Sequence, residues 1–423
     1  EGDGSVEVII GNIILNAEDG SLVATGAEGD GFFEAYEEIG SITVVHDLDR
    51  DGVQEIIAGN TVYDSAGGVH CSIDTRDGFA AVADLNRDGM GEWVVVGDGE
   101  VTVADADCNI LAQWELLSWG TGGPPTIDDF DMDGSMEIAI ADATTMAVYE
   151  VDGSLLWSND TIDESSQATG SIAFDLEGDG RVELIYADEY SLWIYDGMTG
   201  AIRLEDSNRS SRTLHEYPTV VDIDQDGYPE IVVPNGGSHG EQNYVGLRVL
   251  GSADQSWIGG PKLWNQHAFY HDNIHADLSL PTTIDPKWPN FNGFRSANLN
   301  PITEGSAADA VILADYCTDL CTEGTLNLAL RIANKGERTL RSGLKIDVFT
   351  QDTEGNHTAL ATRYTSTEII SGESSAEEWF RFAKSELESG GLVIYVDHQE
   401  GPHVVLECNE ENNRFVLPNA YCP

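Results

Sequence analysis

Five segments of the chain share one acidic pattern: DLDRDGVQE from Asp47, DLNRDGMGE from Asp84, DFDMDGSME from Asp129, DLEGDGRVE from Asp175 and DIDQDGYPE from Asp222. The rule is D-x-[DNE]-x-D-G-x-x-E, and each copy runs straight into apolar residues. Residues 1–7, EGDGSVE, fit the same rule from its third position onward, so Glu1, Asp3 and Glu7 take the third, fifth and ninth places. The chain is therefore expected to begin inside a repeat, after processing or truncation. Carboxylates at alternate positions of a tight loop, with a sixth-position glycine to permit a positive φ, turn their oxygens toward one point. Such crowding is repulsive until a hard cation converts it into binding, and calcium is the cation that fits an all-oxygen cage.

The expected ligands follow from the register. They are Asp47, Asp49, Asp51 and Glu55 with the Val53 carbonyl, then Asp84, Asn86, Asp88 and Glu92 with the Met90 carbonyl. The third loop offers Asp129, Asp131, Asp133 and Glu137 with Ser135, and the fourth Asp175, Glu177, Asp179 and Glu183 with Arg181. The fifth offers Asp222, Asp224, Asp226 and Glu230 with Tyr228. With the incomplete first copy, five or six calcium sites are expected. An EF-hand starts the same way but needs a bidentate glutamate at position twelve and flanking helices. Position twelve here is Ala58, Val95, Ile140, Tyr186 or Val233, so that reading is excluded.

The elements that must hold these loops are strands. Measured at the aspartate before each glycine (Asp3, Asp51, Asp88, Asp133, Asp179, Asp226), successive copies lie 48, 37, 45, 46 and 47 residues apart. Such a period with β-type patterning predicts propeller blades of four strands. In one unit SITVV leads into the acidic loop, EIIAG leaves it and TVYD follows. MAVYEVDGSLLW and SLWIYDGMTGAI read as hairpins.

Composition narrows the partners. Of 423 residues, 75 are Asp or Glu and 20 Lys or Arg, a formal net charge of −55 that disfavours nucleic acid and anionic membranes. No stretch approaches the ~20 consecutive apolar residues of a membrane helix, so no membrane insertion is expected. The loops hold 22 of the 75 acids, which explains their clustering but not the overall acidity, a composition suited to a saline environment. The six cysteines, Cys71, Cys108, Cys317, Cys321, Cys408 and Cys422, lack zinc-site spacing and fit disulfides of an oxidising compartment.

The repeated loops resemble the FG-GAP or VCBS repeats of integrin α-like β-propellers, over residues 1–260. That resemblance implies structural calcium in each blade, with Asn86 and Glu177 weakening their two sites. Six motifs imply six or seven blades. Residues 261–305 lack the repeat and contain WNQH, similar to a linker found between such propellers and a following β-sandwich in secreted bacterial proteins. His267, His271 and His275 recur every fourth residue and would form a transition-metal face on a helix. The preferred reading is that the segment's aromatic and amide side chains cover the propeller edge and tie it to the next domain. Residues 306–423 alternate apolar and polar positions at turn spacings, a β-sandwich pattern. There IANKGERTL and ECNEENN resemble a CARDB-type, immunoglobulin-like domain. The four later cysteines could pair within that domain, leaving Cys71 and Cys108 to link neighbouring blades.

The expected fold class is thus all-β, a propeller followed by an Ig-like β-sandwich. The sequence holds no nucleophile elbow, zinc-protease helix or P-loop, and an active site has no need of five copies. The expected function is a secreted or cell-surface, non-enzymatic, calcium-stabilised adhesion protein that binds carbohydrate or an extracellular protein. The alternatives are a subunit of an extracellular filament or surface assembly, and a polysaccharide lyase on a calcium propeller.

Overall fold

The computed structural model describes residues 5–31, 40–178, 181–214, 216–224, 228–239 and 242–253, then parts of 256–297 and 309–417. Its contacts divide the chain into two units, Glu1–Leu299 and Asn300–Pro423. Among the described residues of the first unit there are six small antiparallel sheets, each made of consecutive strands. The first holds β1 (Glu7–Ile10), β2 (Ile13–Asn16) and β3 (Leu22–Thr25), and the second β4 (Val44–His46), β5 (Glu55–Ala58), β6 (Thr61–Tyr63) and β7 (Val69–Ser72). The third holds β8 (Phe79–Ala83), β9 (Glu92–Gly97), β10 (Glu100–Ala104) and β11 (Ile110–Glu115). The fourth holds β12 (Thr126–Asp128), β13 (Glu137–Ala141), β14 (Thr145–Tyr149) and β15 (Leu155–Asp160). The fifth holds β16 (Ser171–Phe174), β17 (Glu183–Ala187), β18 (Leu192–Asp196) and β19 (Ile202–Asp206), and the sixth β20 (Thr219–Val221), β21 (Glu230–His239) and β22 (Gln242–Gly251).

Burial along each sheet shows where its axis lies. The second strands EIIA, EWVVVG, EIAIA and ELIYA are buried at every position, as expected of strands packed on both faces. The last strands β7, β11, β15 and β19 alternate with solvent and form the rim. The first strands approach one another, β4 beside β8, β8 beside β12 and β12 beside β16, so these sheets are blades around a common centre. Adjacent blades are also tied covalently: Cys71 of β7 is bonded to Cys108, just before β11, across a Cα separation of 6.1 Å.

The WNQH-containing segment lies across that centre, not at the edge where the sequence reading puts it. Phe294 bridges Ile127 of β12, and Ser296 bridges Ala173 of β16. The Asn292 side chain exchanges hydrogen bonds with the Asp84 backbone, at 3.0 Å to its N–H and 2.7 Å to its carbonyl. The Tyr270 hydroxyl donates to the Val45 carbonyl, and the Ser296 hydroxyl to Asp128. Trp288 stacks on His46 at 4.8 Å, and burial lowers that imidazole to about 4, so it is neutral.

The second unit contains β23 (Ala310–Cys317), β24 (Thr325–Asn334), β25 (Lys345–Gln351), β26 (His357–Tyr364), β27 (Glu378–Ala383), β28 (Gly391–Val396) and β29 (Arg414–Leu417). They form two sheets, β23-β24-β27 and β26-β25-β28-β29. Leu328, Leu330, Phe380 and Ile312 of one sheet share a core with Ile346, Val348, Leu392 and Ile394 of the other, which makes a β-sandwich. Cys321, Cys408 and Cys422 lie outside the described residues.

The central placement of Phe294, fully buried, sets an expectation. Phe294→Ala should cost about 3–5 kcal/mol in urea unfolding. Leu155→Ala on the exposed rim should stay within about 0.5 kcal/mol. Equal effects would show that the segment does not hold the centre.

Candidate metal centre

Each acidic loop joins the first strand of a sheet to the second. The register sets His46 opposite Glu55, Ala83 opposite Glu92, Asp128 opposite Glu137, Phe174 opposite Glu183 and Val221 opposite Glu230. The ninth-position glutamate thereby stands at the root of the loop, and one of its oxygens pins it. Oε2 accepts the second-position N–H of Leu48 at 2.9 Å, Leu85 at 2.7 Å, Phe130 at 2.6 Å, Leu176 at 2.9 Å and Ile223 at 3.1 Å. Sequence reasoning missed this role. Its signal was present, because the second position is Leu, Leu, Phe, Leu or Ile in the five copies, and the first four of these are buried.

The remaining backbone is folded onto the aspartates. Gly52 N–H donates to Asp47 and Gly89 N–H to Asp84, both at 3.0 Å. The fifth-position N–H donates to the third-position side chain in the Asp47, Asp84 and Asp129 loops, at 3.0, 2.8 and 3.0 Å. Val53, Met90 and Ser135 N–H donate to Asp51, Asp88 and Asp133. Gly52, Gly89 and Gly134 adopt φ of 88°, 89° and 92°, as the sixth position requires. The fourth position also enters the left-handed region, at Arg50, Arg87 and Met132 with φ of 58°, 60° and 64°. These residue types seldom take that conformation, and the sign of it in the repeat is Gly178, which holds the same position of the Asp175 loop at φ 66°.

Three loops gather carboxylates into candidate cages whose oxygens all lie within 4.8 Å of one another: Asp129, Asp131, Asp133 and Glu137; Asp47, Asp49 and Glu55; Asp222, Asp224 and Glu230. Each could hold a metal ion. Asp51 stays outside the second group, while Glu1, Asp3, Asp179 and Asp226 lie outside the described residues. Buried oxygens of Asp47, Asp84, Asp129 and Glu137 have no hydrogen-bond partner. Burial pushes Glu55 and Glu92 up to about 7 and Glu137 up to about 9, and it raises Asp47, Asp84 and Asp129 as well. Neighbouring loop carboxylates push in the same direction. A divalent cation is the counter-charge that such oxygens fit, since it favours their ionised form.

The other two loops neutralise themselves in part. Asn86 turns its amide nitrogen to Asp88 at 3.1 Å and to Glu92 at 2.8 Å, placing a donor where other copies place an oxygen. In the Asp175 loop, Arg203 of β19 reaches Glu177 at 2.9 Å and Asp196 at 2.7 Å, and also contacts the buried Glu183. Its guanidinium stands between two of the expected ligands. Nothing in the repeat pattern marks Arg203, which sits twenty residues beyond the loop glutamate on a different strand.

The histidines are arranged otherwise than a helix would arrange them. His267 packs edge-on against Tyr217 at 4.5 Å and meets the guanidinium of buried Arg295. His275 closes a turn with Leu278 and Ser279. No metal group among the described residues includes His271 or either of the others.

Residues 175–233 match the FG-GAP-like repeat family. The chain is similar in structure to the V. cholerae biofilm matrix protein Bap1, with a TM-score of 0.61, 18% identity and coverage of 71% of this chain and 76% of that one. It also matches the Cps50 (Swd1) β-propeller domain of Myceliophteria thermophila at a TM-score of 0.26 and 9% identity, covering 76% of this chain and 85% of that one. No curated protein sequence matches the chain. The blades, their repeated acidic loops and the matched segment together show a β-propeller carrying FG-GAP-like repeats.

Proposed function

We propose that the protein is a non-enzymatic extracellular binding or adhesion protein whose propeller is stiffened by calcium in the acidic loops. The observation that carries this reading is the Asp129 loop, where four carboxylates converge and buried oxygens of Asp129 and Glu137 have no protein partner. Oxygen-only ligands at the root of paired strands suit a structural Ca²⁺ better than a catalytic metal, which keeps an open position and commonly takes nitrogen ligands. Asp129, Asp131, Asp133 and Glu137 would hold the ion, with Asp47, Asp49 and Glu55 and then Asp222, Asp224 and Glu230 as the equivalent sets. The ion supplies counter-charge and cross-links the two ends of the loop.

The Cys71–Cys108 bond supports an oxidising, extracellular location. No helix among the described residues is long and apolar enough to cross a membrane. A propeller fold shared with a biofilm matrix protein supports a role in binding at surfaces, with carbohydrate or an extracellular protein as ligand. The second unit, read as a CARDB-type, Ig-like sandwich, fits the same role.

Chelation should lower the thermal midpoint, since the ion binds only the folded state and adds about 2.7 kcal/mol at a hundred times its Kd. An unchanged midpoint would remove calcium from the account.

The pH dependence has a definite sign. Glu137, Glu55 and Glu92 have folded pKa values above the unfolded value of 4.5. Their burial therefore costs nothing below that value and its full amount above the folded one. In chelator the midpoint should fall as pH rises from about 5 to about 9, and the gap to the calcium-loaded protein should widen. Glu137→Gln should stabilise the chelated protein at pH 8 and destabilise the calcium-loaded one. Differential scanning calorimetry of both states reads this crossover.

Adhesion is tested on glycan arrays and on immobilised extracellular matrix, with calcium and with chelator. Calcium-dependent retention is expected on at least one of them. Retention on neither, or turnover of acidic polysaccharides followed by ultraviolet absorbance, would overturn the reading.

A further inference from the structure

The fourth residue of an acidic loop is no ligand in the repeat register, yet in two loops it is an arginine, Arg50 and Arg87, exposed and held with φ of 58° and 60°. Each of these side chains leaves its own loop for the next one. Arg50 crosses from the second sheet to the third, where its Nη1 donates to the Gly89 carbonyl at 3.5 Å. Arg87 makes the equivalent crossing from the third sheet to the fourth. A Cβ built on Gly134 would stand 2.8 Å from both Nη1 and Nη2 of Arg87, so the guanidinium lies against the backbone at that sixth position. The Asp129 loop passes no such charge onward, because its fourth residue is Met132.

Gly134 stands between Asp133 and Ser135, both expected to give an oxygen to the ion, and the Arg87 charge acts on the Asp133 carboxylate. The inner end of the same cage is served by no cation. There Glu137 is wholly buried, and its Oε1 has no hydrogen-bond partner although it belongs to the group of four converging carboxylates. The outer end of the cage thus meets a positive charge lent by the neighbouring blade, while the inner end keeps an acceptor for a bound ion.

We propose, on the reading that these loops take calcium, that Arg87 of one blade sets the calcium affinity of the Asp129 centre in the next. A single charge held beside the cage repels the incoming dication and shares the carboxylates in its absence, so it weakens the site without filling it. Arg203 acts differently in its own loop, since it contacts the buried glutamate itself. Because Arg87 arrives from another blade, calcium binding at Asp129 is coupled to the way the two blades pack.

The test titrates calcium into the full, chelator-stripped chain by isothermal titration calorimetry. The binding step that disappears in Glu137→Gln is the Asp129 centre. In about 0.01 M salt, where charges act over about 30 Å, Arg87→Gln should tighten that step at least about threefold. In about 1 M salt, where they act over about 3 Å, less than about half of the gain should remain. Arg87→Lys keeps the charge and should stay within about twofold of the starting chain. No calcium uptake by the starting chain, or no step lost in Glu137→Gln, would overturn the calcium reading and this role with it. Affinity unchanged or weakened in Arg87→Gln, a gain undiminished in strong salt, an equal gain in Arg87→Lys, or one that persists when Glu137→Gln is also present would overturn the role of Arg87 alone.

Discussion

A buried carboxylate at the start of each second strand is the constraint on which the first unit depends. Four of the five glutamates, Glu55, Glu92, Glu137 and Glu183, are almost wholly removed from water, and all five use one oxygen to hold the N–H of the loop's second residue. Burying a negative charge is costly unless it is hydrogen-bonded and compensated. The hydrogen bond meets half of that demand, and the loop carries the other half. Because the pin also draws two or three further carboxylates toward the same point, the need for positive charge grows as the loop folds.

The loops meet that need in different ways. Arg203 brings a guanidinium to Glu177 and Glu183 from the outer strand of its own sheet. Asn86 brings an amide donor to Asp88 and Glu92. The Asp129 loop has no such donor within its own sheet, Arg87 of the preceding loop reaching only its exposed Asp133 end, and it is the one whose four side chains converge. A single sequence pattern thus covers a graded series of electrostatic environments, from internally compensated to open for a cation. Blade stiffness is coupled to it, since the same loop joins the innermost strand to its neighbour.

The centre of the propeller answers a different demand. First strands that face one another present apolar backs and buried polar edges, and the described residues between 266 and 297 cover both. Phe294 and Tyr270 supply surface, while Asn292 and Ser296 supply partners for Asp84 and Asp128. Arg295 is fully buried, stacks over Tyr217 at 4.8 Å and touches His267; desolvation lowers it to about 10. Of the histidines that look like a ligand row in sequence, His267 packs on Tyr217 and meets Arg295, while His271 and His275 are exposed, and the described residues around them form turns, bends and bridges.

Much of this was legible from the chain alone. The period of the D-x-[DNE]-x-D-G-x-x-E loops set the blades, and their apolar runs placed the second strands, because a local pattern repeated in register encodes local structure. The sixth-position glycine foretold its own positive φ, since few other residues tolerate it. What lies between distant residues was not legible. Arg203 reaches its loop only through the pairing of β17, β18 and β19, and the WNQH segment finds the centre only because the first strands converge there. The sequence by itself determined which residues could gather charge, since spacing along a tight loop decides that. Tertiary structure decided which of those gatherings are already neutralised and which are left to a cation, because a counter-charge acts through space and its sequence separation carries no record of the distance.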